Sequence, residues 1–408
     1  MVTPRSAWLP LTRLGAAAGA AARGDAGTPS PTRLATAGAP AVPRRRTAGG
    51  AATAGRGDLA AGDDRPADPA PVELGDAAAT GTIVSVRVVS RVGGLDATGT
   101  ADATAKRVRA DQGVTLFAAV EVAPEGGGKH RWYSDAGTIK LGGKPVTTAP
   151  IADAPAFTIR WSKIEPTVAD MSNEASGQFR FEAIDYAATA WRDGVAAAAA
   201  DVHPTLTPDH GDGVGTMRYQ VEVTQGDRVV ASPGVEARRG RGAGGLTDAV
   251  ARVSLRRDDT YLGYLTEMYG QPYIWASAGS TDATHQSERL EGSDCADFVV
   301  YGARRMGKKI PYVYTGALPR YARTLAAGTV GDDGIYRDAD GDEVPFTGVG
   351  DLILFPRHVG VLTEDRGTPG VLDVDDIMMH TLFDSPKEQR IGDSGYAETA
   401  VQLLRWKK

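Results

Sequence analysis

Between residues 76 and 240 apolar residues alternate with polar ones in short runs, and no other feature of the 408-residue chain restricts its fold as strongly. Val84, Val86 and Val88 share one parity, with Ser85 and Arg87 on the other, and Val114, Leu116, Ala118, Val120 and Val122 repeat the pattern. Phe157 and Ile159 lead to Trp161, and Phe179 and Phe181 lead to Ala183. Tyr219, Val221 and Val223 precede a Gln225-Gly226-Asp227 turn and Val229-Val230. A period of two is that of a half-buried strand, and the intervening Gly, Pro and Asp supply turns. About six such runs predict an all-β sandwich or barrel. The alanine-rich residues 188–200 read as a short helix interrupting it.

Composition divides the rest. Residues 1–75 are Ala, Gly, Pro and Arg with Trp8 as the one aromatic, too little apolar surface to offset about 1–2 kcal/mol per ordered residue, so a disordered leader is expected. Arg5 and Arg13 before an alanine-rich stretch form a weak export signal, and a low-complexity leader accounts for them as well. The net charge of −6 is mild and argues against a broad nucleic-acid surface. No apolar run is long enough to span a membrane. Residues 236–245, basic and glycine-rich, read as a hinge between a β-rich accessory domain, 76–240, and a second domain, 241–408.

The second domain holds the single cysteine, in Gly292-Ser293-Asp294-Cys295-Ala296-Asp297-Phe298-Val299. Ser-Asp before an apolar stretch is a helix start, and Gly307 is a plausible stop. Cys295 then lies in a first helical turn, where free N–H groups and the helix dipole favour a thiolate. Downstream, Gly350-Asp351-Leu352-Ile353-Leu354-Phe355 and His358-Val359-Gly360-Val361 read as two strands, and Ile377-Met378-Met379-His380 as a third. Cysteine on a helix followed by histidines on strands is the order of a nucleophile, a base and an orienting group. Residues 246–269 have helical spacing, ended by Gly270 and Pro272. Residues 277–292, with His285, read as a polar surface loop, and residues 310–314 as an extended piece.

These blocks, with Gln271-Pro272-Tyr273-Ile274-Trp275, resemble the NlpC family of papain-like cysteine peptidases, which cleave bacterial cell-wall peptides. The resemblance covers residues 261–380. It implies an α+β papain-like domain behind the all-β one. It also implies catalysis by Cys295, His358 and His380, with Tyr273 and Asp294 at the substrate and oxyanion side, and no cofactor or metal. Ala276-Ser277 stand where the family has Gly-Gly, and Ala296-Asp297 where it has Ser-Gly; the lost hydroxyl at 296 bears on the substrate more than on the chemistry.

The expected function is a thiol-dependent hydrolase of amide bonds in cell-wall peptides, in the cell envelope or outside the cell, with a cytoplasmic site left open. The β domain would bind the envelope or gate the site. Two alternatives stay open: an amidase or acyltransferase on another substrate, and a non-catalytic surface scaffold. His203 and His210, with Asp209 and Asp212, read as a solvated loop rather than a metal site. Asp338-Ala339-Asp340-Gly341-Asp342-Glu343 reads as a tight turn or half a calcium loop lacking its last carboxylate.

Overall fold

Strand Thr82–Val92 realises the predicted alternation with one slip. Val86 and Val88 are buried as expected, but Ile83 replaces Val84 in the core, because a bulge between Ile83 and Ser85 shifts the register against strand Val114–Ala123. One extra residue flips the parity of everything before it. The computed structural model describes residues 72–171, 184–240 and 244–408. The leader up to residue 71, the Phe179-Phe181 run and residues 241–243 of the linker lie outside the described residues.

Two sheets build the first half. One orders Glu73–Leu74, Phe157–Pro166, Gly215–Gln225, Ala251–Arg256 and Lys106–Arg109, with Tyr186–Asp193 and Arg228–Ala231 paired at its sides. The other orders Ala197–Ala199, Val114–Ala123, Thr82–Val92, Ala101–Asp102, Thr138–Leu141 and Lys144–Thr147, with Arg131–Tyr133 alongside. Their apolar faces share one core, with Leu116, Val120 and Val122 from one sheet and Phe157, Trp161, Tyr219 and Val253 from the other. Trp161 is fully buried and its indole N–H donates to the Val195 carbonyl at 2.8 Å.

Several expectations are corrected here. Residues 188–200 form no helix: they lie in strands Tyr186–Asp193 and Ala197–Ala199 and the bend between them, and the packing of Trp191 on Tyr219, with ring centroids 5.4 Å apart, overrides alanine's helix propensity. Residues 246–269 are not one helix. Ala251–Arg256 is a strand of the first sheet, so that sheet draws on residues beyond 240. Only Tyr261–Leu265 (α1) is α-helical, because Thr260 caps it by accepting from the Gly263 N–H. The sheet also begins earlier than composition suggests, since Glu73–Leu74 pairs with Thr158 and Phe157. Residues 310–314 join no sheet.

The second half is a seven-stranded sheet in the order Tyr336–Arg337, Ala322–Val330, Val401–Trp406, Leu352–Leu354, Val359–Glu364, Ile377–His380, Lys387–Arg390. Every pairing in it is antiparallel. Both faces are buried. Leu352, Leu354, Val359 and Val361 pack against helix Cys295–Arg305 (α2), while Ile353, Leu362 and Leu403 form a separate core on the other side. The described chain is therefore mostly β-sheet with few helices. No helix among the described residues is long and apolar enough to cross a membrane.

The two halves interlock just upstream of α2. Arg218 donates to the Gln271 side-chain oxygen at 3.0 Å and to the Leu290 carbonyl at 2.8 Å. Arg252 donates to the carbonyl of Arg289 and Arg107 to that of Glu288. Burial, with Arg218 and Arg107 nearby, pushes the Arg252 guanidinium down to about 9. Arg239, expected in a flexible hinge, instead pairs with buried Glu291 at 3.3 Å and with Asp248 at 3.1 Å. Arg218→Ala strands two buried carbonyl oxygens and should cost about 2–4 kcal/mol. Arg218→Lys should recover little, because one ammonium cannot span both acceptors. Urea unfolding checks this, and an alanine variant within 0.5 kcal/mol of wild type would refute it.

Candidate active site

Helix α2 starts at Cys295 because Asp294 caps it. The Asp294 Oδ1 accepts from the N–H groups of Ala296 and Asp297, both at 2.9 Å. It ends as expected at Gly307, which takes a left-handed φ of 85° and donates to the Arg304 carbonyl at 2.8 Å. Between these points Phe298, Val299, Val300 and Tyr301 are fully buried, so the start of the helix is held firmly against the sheet.

His358 closes the hairpin between Leu352–Leu354 and Val359–Glu364, where its carbonyl accepts from the Phe355 N–H at 2.8 Å. The next residue, Val359, brings its N–H to the Cys295 sulfur. His380 ends the neighbouring strand and places its Nδ1 2.8 Å from Nε2 of His358. The Nδ1 of His358 is buried and has no hydrogen-bond partner among the described residues. Tyr273 is buried at strand Tyr273–Ile274, which bridges to Ser293 just before the cysteine, and burial followed by the nearby Cys295 and Asp294 pushes its phenol far up. The five residues singled out in the sequence thus meet in one place. The first half contributes to the same place: Asp170–Met171 pairs in parallel with Tyr273–Ile274, and the Trp275 N–H donates to the Met171 carbonyl at 3.0 Å. Ala276, at a glycine position of the family pattern, keeps the φ of 54° that glycine adopts easily.

The expected resting thiolate is corrected. Cys295 is 6% exposed, and burial followed by the Asp294 and Asp297 carboxyls pushes its thiol strongly up. These effects outweigh the helix dipole, worth about 0.3–1 kcal/mol. His358 is 0% exposed, and burial and His380 hold it well below the ordinary imidazole value. His380 is pushed down to about 4 by burial and Lys387. Burial thus disfavours both charged forms of the resting pair, the thiolate and the imidazolium.

A polar cluster behind the cysteine was not legible beforehand. Burial, followed by Asp294, holds the Asp297 carboxyl well above the ordinary range, and burial brings Asp294 up to about 6. The two side chains hydrogen-bond, so one proton sits between them. Ser277 donates to Asp297 Oδ2 at 2.5 Å and accepts from the Asp294 N–H at 3.1 Å. His285 is no surface residue. It is buried, stacks on Tyr312 at 3.7 Å, and lies 3.5 Å from Asp297 Oδ2. Its Nδ1 accepts from the Ser287 N–H at 3.2 Å, and burial brings it down to about 3. Tyr396 was also missed: its ring stacks on His358 at 4.8 Å.

Elsewhere, His203 pairs with Asp201 at 2.6 Å and His210 with Asp384 at 3.1 Å, so the two histidines serve different partners. The 338–343 segment is a turn in which the Asp338 carboxylate accepts from the N–H groups of Asp340 and Asp342, both at 3.0 Å. No group of three or more metal-ligating side chains occurs among the described residues. Compared with family models, with curated proteins and with solved structures, the chain matches none of them.

Proposed function

We propose that the protein is a thiol-dependent hydrolase of amide bonds, of the papain-like NlpC kind, acting on bacterial cell-wall peptides in the envelope or outside the cell. One observation carries this reading: His358 directs Nε2 to His380 and leaves a buried, unpartnered Nδ1 next to the residue that touches the lone cysteine. Donation from His358 Nε2–H to His380 Nδ1 fixes the tautomer in which Nδ1 keeps its lone pair. The thiol proton moves to Nδ1 as sulfur attacks the substrate carbonyl, so charge separates only during the reaction. The Cys295 N–H at the helix start and the Tyr273 hydroxyl stabilise the oxyanion. The imidazolium then protonates the leaving amine, giving a thioester and a free amine. Water, deprotonated at Nδ1, cleaves the thioester, releasing the acid and restoring the thiol.

Because His358 is held below the ordinary imidazole value, it stays unprotonated as pH falls through 6.5, and activity persists into mildly acidic solution. The test is digestion of purified muropeptides by the full-length protein, followed by mass spectrometry. New amine and carboxyl ends from wild type, and none from Cys295→Ala, are expected.

The burial of both Cys295 and His358 favours a second reading, a surface scaffold with an inert thiol. Intact muropeptides and an intact panel of simple amides after digestion would select it.

A further inference from the structure

Tyr396 lies on the turn formed by residues 394–399, which is braced from within. Its carbonyl accepts from the Thr399 N–H at 3.0 Å and from the Thr399 hydroxyl at 2.7 Å. Its N–H donates to Ser394 Oγ at 3.1 Å, and that hydroxyl donates to the Ile391 carbonyl at 2.6 Å. The ring so placed stacks on the His358 imidazole with centroids 4.8 Å apart and planes 25° apart. Phe355 lies 6.0 Å from the imidazole and 5.6 Å from the Tyr396 ring, and His380 meets the imidazole edge-on at 4.9 Å. The imidazole has no exposed surface. Burial pushes the Tyr396 phenol up, and the charge of Cys295 adds to this, so the ring lies on the Cys295 side of the site.

We propose that Tyr396 is a positioning residue, whose ring covers the His358 imidazole, keeps water from it and fixes the plane in which Nδ1 faces Cys295. This rests on reading His358 as the base. A planar ring stacked on an imidazole restricts its rotation about χ2, which one hydrogen bond to His380 leaves partly free. Excluding water from the face also disfavours the imidazolium in the resting site. The titratable groups that meet the His358 imidazole are His380 from the adjacent strand and Tyr396 from the turn, with Cys295 of α2 reached through the neighbouring Val359. The Tyr396 ring is therefore an uncharged cover that substitution can remove without deleting a charge.

The experiment is NMR titration of ring-labelled His358 in the full chain, for wild type, Tyr396→Phe and Tyr396→Ala. Wild type and the phenylalanine variant should titrate together, well below the ordinary 6.5. The alanine variant should move up by about one pH unit or more. The acid limb of turnover should move with it, with kcat falling more than KM changes. The buried His285 signal reports whether the variant is folded. If it is not, Tyr396→Leu, which lacks a planar face, should give the same upward shift. Unchanged His358 titration in a folded alanine or leucine variant would overturn the proposal. The titration needs no substrate, so an upward shift in a protein that fails to turn over would uphold the cover while refuting the hydrolase reading.

Discussion

His358→Ala should lower turnover of a cell-wall peptide by about three orders of magnitude or more. The expectation follows from the resting charges. A site that held a preformed thiolate would keep some nucleophilicity after losing its imidazole. Here burial and the Asp294 and Asp297 carboxyls hold the Cys295 proton on, so sulfur has no other route to its anion. His380 directs its Nδ1 at His358 in the folded protein, the place of an orienting partner for that imidazole. Steady-state kinetics on wild type and variant check this. A residual rate within tenfold of wild type would show that another group takes the proton.

Asp297→Asn should stabilise the protein at neutral pH, with a gain that vanishes in acid. The sign follows from the proton that Asp297 keeps. Its folded carboxyl titrates well above the ordinary value of 3.8, mainly from burial and secondly from Asp294. In the unfolded chain that proton is lost above 3.8. Wild-type stability from this group is therefore fully present below 3.8 and declines as pH rises toward the folded value. The decline is about 1.4 kcal/mol per pH unit. Asparagine has no proton to lose. Its amide can donate to Asp294 and its carbonyl can accept from Ser277, matching the hydrogen bonds of the neutral acid. Melting temperatures of both proteins from pH 4 to pH 8 check the prediction. Parallel curves would show that Asp297 is ionised when folded.

Local patterns were legible wherever one element carried the signal. The Asp294 cap and Gly307 mark the two ends of α2, and the apolar runs around His358 and His380 are strands. The first half's strands were readable from alternation, apart from the bulge that exchanges Val84 for Ile83. The spacing of Val250 and Val253 fits a helix, whereas Val253 and Leu255, two apart, share a strand face. Pairing with Gly215–Gln225, supplied by the distant first half, decides for strand. The arginine contacts to 288–290 join residues far apart in sequence and leave no local pattern. Asp297 was visible as a carboxyl in place of a family glycine, but its burial with Ser277 and His285 depends on how the loop folds back. Tyr396 sits among small polar residues with no periodicity, and only the folded turn brings it to His358.

The most direct test of the cysteine–histidine pair needs no substrate. The rate of Cys295 alkylation by iodoacetamide would be followed from pH 5 to pH 9 in wild type and in His358→Ala. Cys295 is the only thiol, so labelling reports it alone. If His358 Nδ1 accepts the thiol proton as sulfur attacks, wild type should label at least about tenfold faster than the variant at pH 7, with the difference extending below pH 6.5. Equal rates in the two proteins at every pH would mean that His358 does not serve Cys295, and would contradict the account.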